Sequence, residues 1–387
     1  MTIRAGVVGA GILGSQHAAF LAAQPEVKLV GVADMRREVA ERVATPLGAT
    51  AYGSLAEMAT QCLDLVVVAT PDPLHLQPCL DAIEAGVPCI IEEKPLATTL
   101  DDGRRLMEAI ERHGTRFFVN YANRAATLDI ATGYVLQQGL LGELVYGEAR
   151  LDDNISVPTQ MWGGRSRDWA AGSSTAHFLL SHVVDLLHWY LAPARVTEVY
   201  AIAQQKVLGN TPDVYDAYLT FDSGAKIRVK AEWIKHIDEL VEFYMCFSGS
   251  KGTLIYNKRG GFNTSAGWRA NLSPEVSAQE LLEHRERLGE RGVEMRALVH
   301  RPAPATATLS AGGATDMHSL EFQGLGYGET MSLCRSFVDA ILDDTLTPSS
   351  WKGHGPVPTH VDGWRQTQVV CAIVASAASG RVVSIEE

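Results

Sequence analysis

The 387-residue sequence predicts an α/β fold in two parts. Residues 1–122 read as a doubly wound parallel sheet. Residues 123–387 read as an α+β region with a large, mostly antiparallel open sheet. Three observations predict this. Short apolar runs alternate with helical stretches up to residue 120, a glycine-rich turn joins the first run to the first helix, and beyond residue 210 the apolar period drops to two.

The first part is justified element by element. Residues 3–8, 27–33 and 63–69 are mostly apolar runs of the kind that suits strands buried on both faces, and 88–91 and 117–119 are shorter candidates. Helical stretches lie between them at 15–23, 37–43, 55–60, 76–85 and 100–113. The last two are closed by Gly86 and Gly114, residues that tolerate the left-handed conformation at a helix end. In the second part, residues 177–190 predict a helix whose Leu179, Val183, Leu186, Leu187 and Tyr190 form one apolar stripe. Ala217, Leu219 and Phe221, then Ala225 to Trp233 after Asp222-Ser223-Gly224, alternate as a hairpin does. Residues 241–247 and 253–256 flank a second turn in the same way. The open sheet is expected to leave one apolar face for a second copy of the chain, making a homodimer or homotetramer. Residues 301–315, rich in Pro, Ala and Gly, read as a surface loop, and amphipathic helices are expected at 329–342 and 363–378.

Composition narrows the function. Apolar residues at 46% and charged residues at 20% exclude a disordered chain. A formal charge of −12, spread along the sequence without a basic segment, argues against nucleic acid or an anionic membrane as partner. Six scattered cysteines without a C-x-x-C pair read as reduced thiols. With no long apolar run and no signal-peptide profile, they give the expectation of a cytoplasmic protein.

Gly9-Ala10-Gly11-Ile12-Leu13-Gly14 matches G-x-G-x-x-G between a predicted strand and a predicted helix. The first glycine permits the turn, the second lets backbone approach a pyrophosphate, and the third lets helix pack on strand. Free N–H groups at the helix start favour phosphate. Asp34 ends the second strand, where a carboxylate accepts from ribose hydroxyls. It favours NAD over NADP, although Arg36 beside Met35 and Asp34 keeps NADP as the alternative.

Two further motifs fall at the carboxyl ends of strands, where such sheets bind ligands: Thr70-Pro71-Asp72-Pro73-Leu74-His75 and Glu92-Glu93-Lys94-Pro95. With the glycine motif, they make the chain resemble the glucose-fructose oxidoreductase / inositol dehydrogenase (Gfo/Idh/MocA) family over nearly its whole length. The resemblance implies a Rossmann domain followed by a substrate and oligomerisation domain. It implies Lys94 as the catalytic residue beside the nicotinamide, with Glu93, Thr70, Pro71 and His75 at the cofactor. It also implies His182 as proton acceptor. The acid usual four residues before that histidine is replaced by Phe178, so Asp185, one turn on, is expected to orient His182. Asp72 also departs from the family's usual Asn.

Asn123, Arg124, Trp162, Arg165, Trp169 and Phe178 are candidate substrate contacts, because aromatic faces and hydrogen-bonding groups together suit a carbohydrate. Lys230, Glu232 and Lys235 either reach the same pocket or pair with one another. No metal is expected, since the histidines near 182 lack a recognised ligand set. The expected activity is hydride transfer between NAD(P) and a carbinol carbon of a sugar, inositol or sugar derivative. Two rivals remain open: a non-redox sugar enzyme with tightly held NAD, and a silent dinucleotide sensor.

Overall fold

The computed structural model describes residues 2–259, 266–273, 275–299, 317–323, 331–343 and 351–385. The Pro/Ala/Gly run at 301–315 lies outside them, as do the first residues of the helix expected from 329.

The first sheet holds six parallel strands, β1 (Ile3–Val8), β2 (Val27–Ala33), β3 (Thr50–Tyr52), β4 (Leu65–Val68), β5 (Cys89–Glu93) and β6 (Arg116–Asn120), in the order β3-β2-β1-β4-β5-β6. The chain returns through α1 (Ile12–Ala22), α2 (Arg37–Ala44), α3 (Leu55–Ala59), α4 (Leu76–Glu84) and α5 (Leu100–His113). The order reverses between β1 and β4, and that places the ligand crevice at the carboxyl ends of these two strands. The central strand β4 is apolar throughout because helices cover both faces: Leu65 to Val68 are all fully buried.

After α6 (Thr127–Gln137) comes the second sheet, of ten strands among the described residues. Its members are β7 (Leu144–Asn154), β8 (Val196–Gln204), β9 (Val214–Phe221), β10 (Lys226–Lys235), β11 (Val241–Gly249), β12 (Gly252–Arg259), β13 (Gly267–Leu272), β14 (Arg296–Leu298), β15 (His318–Gln323) and β16 (Val383–Ser384). Both predicted hairpins are present, β9–β10 and β11–β12, the first turning at Gly224 with φ +88°. All pairs are antiparallel except β7 with β10 at the middle. Strand β7 carries only a short period-two signal at Ala149 and Leu151, because the strand then continues through the buried acids Asp152 and Asp153, the first of them paired with Lys230.

The helices α7 (Ser156–Gln160), α8 (Ser166–Gly172), α9 (Ser181–Tyr190), α10 (Ala278–Glu290), α11 (Ser332–Leu342) and α12 (His360–Ser379) complete the chain. The predicted stripe of α9 is buried with the inner face of the second sheet, with Tyr190 edge-on to Phe247 at 6.2 Å. The helix begins later than its period suggests, because residues Ala176–Leu180 form a π-helical turn. The last two helices reach back to β6. Phe337 stacks on Phe118 at 5.0 Å, the Arg116 guanidinium donates to the Ala340 carbonyl, and the Val119 N–H donates to the Pro358 carbonyl.

The outer face of the second sheet differs from the apolar face expected. Tyr146, Tyr200, Tyr218, Ile202 and Ile255 are exposed there, but ion pairs lie among them. Arg228 forks onto Asp216, Arg150 meets Glu242, and Lys230 and Lys235 share Asp152 and Glu232. Lys230, Glu232 and Lys235 therefore pair with one another and do not line the cleft. Burial raises the pKa of Asp152 to about 6 despite these lysines. Among the described residues, no helix is long and apolar enough to cross a membrane, and all six cysteines are free thiols.

Candidate active site

A cleft of about 460 Å³ runs from the glycine turn to α8. Gly9, Gly11, Ile12, Leu13, Asp34, Arg36, Thr70, Pro71, His75, Glu93 and Lys94, expected from the sequence as cofactor contacts, line it. Trp162, Arg165, Trp169 and Phe178 form the other end. Met35 does not line it and is 88% exposed.

The three glycines divide their work as their spacing predicts. Gly9 has φ +90°, and a side chain there would meet the Ala69 carbonyl at 2.5 Å. A Cβ on Gly14 would collide with the Gly9 carbonyl, so this glycine serves packing and stays out of the cleft lining. Gly11 caps the N-terminus of α1 with nothing within 4 Å of its missing Cβ. That open space beside unpaired helix N–H groups fits a pyrophosphate. Asp34 accepts from the N–H groups of Ala10 and Arg36 at 3.0 and 2.9 Å, one on each oxygen. Each oxygen keeps lone pairs for a ribose hydroxyl. The Arg36 Nε lies 3.8 Å from this carboxylate, which holds the cation that would otherwise serve a 2′-phosphate. The residues present thus fit NAD.

His75 is buried, with ring nitrogens 2.8 Å from the carbonyls of Pro95 and Thr70, so it ties the β4 and β5 loops together beneath the cleft. Asp72 acts across the cleft. It accepts from Trp169 Nε1 at 2.7 Å and from Ser173 Oγ, fixing α8 over the first sheet. The carboxylate takes two donors where an Asn side chain would offer one acceptor oxygen.

Lys94 ends β5, followed by a cis peptide to Pro95. Its Nζ donates to the Phe178 carbonyl at 2.7 Å and lies 4.0 Å from the centre of the Phe178 ring. Burial pulls its pKa down to about 8, and the charges of Asp72, Glu93 and Asp153 resist the fall. Phe178, in the π-helical turn, belongs to an aromatic wall. Trp169 packs on Phe178, Trp233 and Trp162 with centroids 4.8, 5.3 and 5.6 Å apart.

Glu93 is held by groups the sequence reading left out. His17 Nε2 lies 2.6 Å from its Oε1, and Asn120 donates to the same oxygen at 2.8 Å. Burial opposes charge on the carboxyl, but the His17 contact more than offsets it and leaves its pKa below the usual range. Burial also opposes charge on His17, yet Cys334 and Glu93 raise its pKa to about 10. A histidine one turn beyond the glycine motif, on the buried face of α1, was a usable signal for His17. Asp153 and Trp233, inward on β7 and β10, show only as alternation.

The geometry around His182 corrects two expectations. Asp185 does not orient it. Both Asp185 oxygens are taken by Arg124, at 3.0 Å from Nε and 2.6 Å from the terminal nitrogen. Arg124 in turn is not available to substrate, because it is fully buried between Asp185 and Asp362. A buried guanidinium recruits carboxylates to offset its desolvation, and the nearest were Asp185 and the capping acid of α12. Asn123 supplies the contact to His182 instead, Nδ2 to ring Nδ1 at 3.1 Å. Neither Asn123 nor His182 lines the cleft, and His182 is half-buried. Burial first, then the charges of Lys94 and Lys258, hold its pKa well below the usual imidazole range. Among the described residues, no group of His, Cys, Asp and Glu is placed to hold a metal.

Residues 3–121 match the family described as GFO_IDH_MocA, oxidoreductase family, NAD-binding Rossmann fold, and residues 134–255 match the GFO/IDH/MocA C-terminal domain. The inositol 2-dehydrogenase/D-chiro-inositol 3-dehydrogenase of Shouchella clausii is 34% identical over 197 residues, 49% of this chain and 54% of that protein. The inositol 2-dehydrogenase of Agrobacterium fabrum is 31% identical over 196 residues, covering 49% and 55%. The chain thus spans about half the length of these curated relatives. A levoglucosan dehydrogenase solved with NADH and levoglucosan superposes with a TM-score of 0.72 over all of both chains at 21% identity, a likeness of fold.

Proposed function

We infer the function of this chain from the family to which it belongs, the GFO/IDH/MocA oxidoreductases: it transfers hydride between NAD and a carbinol carbon of a sugar or polyol. The observation that carries this reading is the placement of Lys94. Its buried ammonium stands at the end of β5, in one cleft with the glycine turn at one end and an aromatic wall at the other. Sugar and inositol dehydrogenases among its relatives support the substrate class.

When bound, NAD supplies the hydride acceptor. The chain's residues do the rest. In oxidation, Lys94 as neutral amine takes the hydroxyl proton while the carbinol becomes a carbonyl. In reduction, the ammonium returns that proton and stabilises the developing alkoxide. Glu93, kept ionised by His17, and Asp72 across the cleft set the field around Lys94. Trp162 and Trp169 offer ring faces to the C–H side of the sugar, and Arg165 at the rim offers donors to its hydroxyls.

The pH dependence has a definite sign. Oxidation needs neutral Lys94, so kcat/KM rises about tenfold per pH unit below about 8 and levels above it, while reduction runs the opposite way. A screen of polyols, cyclitols and sugars with NAD, read at the nicotinamide absorbance across pH 6 to 10, tests both statements. Cofactor binding without turnover on any substrate would favour the sensor reading.

A homo-oligomer through the outer face of the second sheet is part of this proposal. The exposed tyrosines and Ile202 and Ile255 favour contact, and the paired charges give it register. Light scattering at micromolar concentration is expected to give at least twice the 41.9 kDa chain mass; a monomer contradicts it. Free thiols throughout the described residues favour a reducing compartment, the cytoplasm.

A further inference from the structure

His182 is the last link of a largely buried chain of polar side chains drawn from four segments. Tyr190 Oη donates to Asp129 Oδ1 at 2.6 Å. Lys258 Nζ lies 2.5 Å from Asp129 Oδ2 and 2.5 Å from Asn123 Oδ1. Asn123 Nδ2 lies 3.1 Å from His182 Nδ1. Asp129 is fully buried and Lys258 is 3% exposed.

Each link fixes the next. An ammonium has three donors and no acceptor, so the Asn123 side chain must turn its oxygen to Lys258. Its NH₂ group then faces His182 and can only donate. The ring nitrogen that receives it, Nδ1, must carry a lone pair, and the single proton of the neutral ring is placed on Nε2. The opposite amide orientation would put NH₂ against the ammonium, a donor against a donor in a site without water-like screening.

We propose that Lys258, acting through Asn123, is a positioning residue that sets the tautomer of His182. It keeps the His182 proton on Nε2, so that the ring is a hydrogen-bond donor at Nε2 and not a proton acceptor there. The proposal rests on the hydride-transfer reading and refines it. In this chain the acid usual before the histidine is replaced by Phe178, and among the described residues Asn123 alone contacts Nδ1. The division of labour follows: His182 takes up no proton, and Lys94, which lines the cleft, alone does so. Burial, with the charges of Lys94 and Lys258, keeps the ring neutral over the working range and so keeps this tautomer defined.

The test reads the tautomer directly and needs no substrate, so it is independent of whether turnover is found. Ring-¹⁵N histidine is introduced into the full chain, and long-range ¹H–¹⁵N spectra are recorded from pH 6 to 9. The His182 signals are assigned by their loss in His182→Gln. The expected wild-type pattern is a neutral ring with a protonated Nε2 and an unprotonated Nδ1 at every pH. Asn123→Asp leaves Asp129 and Lys258 paired and gives Nδ1 an acceptor, so the pattern is expected to invert. Lys258→Met frees the Asn123 amide to turn, and a mixture of tautomers is expected. A wild-type ring protonated at Nδ1, or a pattern that neither variant changes while both remain folded by circular dichroism, overturns the proposal. Should Lys258→Met fail to fold, Asn123→Asp decides alone.

Discussion

Lys94→Ala is expected to lower kcat/KM for the sugar or polyol substrate by roughly 10³- to 10⁴-fold, the range of a positioned acid or base with its oxyanion stabilisation removed as well. NAD binding should change by only a few-fold, since the dinucleotide cradle is built by Gly9, Gly11 and Asp34. The far-ultraviolet spectrum should be unchanged, because the side chain's partners are one carbonyl and one ring. Lys94→Arg sharpens the result. It restores the positive charge but cannot deprotonate near pH 8, so it should rescue little of the oxidation rate. Turnover surviving in Lys94→Ala at more than a tenth of the wild-type rate would remove Lys94 from the chemistry.

Arg124→Met should instead unfold the protein more easily, by about 3 to 5 kcal/mol, the loss typical when one member of a buried ion pair is removed. The arginine joins three segments: the turn after β6, the helix α9 through Asp185, and the N-terminus of α12 through Asp362. Burial already raises the Asp185 pKa to about 7 with the arginine in place. Without it, that carboxyl is expected to take up a proton and stay neutral. Urea denaturation followed by tryptophan fluorescence measures the loss. Unchanged stability with a raised KM would return Arg124 to the role of substrate contact.

Local sequence carried much of the fold and half of the site. The glycine turn, Asp34, the two strand-end motifs and both hairpins are set by spacings of a few residues, and the structure keeps them. The errors lie where contacts are long-range. Arg124 and Asp185 looked available because each is polar and near the motif helix, but only the fold shows that they neutralise one another. Asp129 and Lys258 meet across 129 positions, and Cys334 reaches His17 across 317. No periodicity marks such residues. Strand β7 was hidden for a related reason: a central strand is expected to be apolar, and its charges are buried by pairing across the sheet. The π-helical turn at Ala176–Leu180 also escaped, since it keeps the apolar stripe while moving the Phe178 carbonyl onto Lys94.

The return of the chain's end to β6 has a consequence for how the molecule is made. Arg116 and its carbonyl partner on Ala340 are separated by 224 residues, and Phe118 bridges to Thr359. As the polypeptide leaves the ribosome, the first sheet emerges with its last strand still an open edge, and that edge waits for most of the remaining chain to be translated. The nucleotide domain, although synthesised ahead of the second sheet, is among the last parts to be closed.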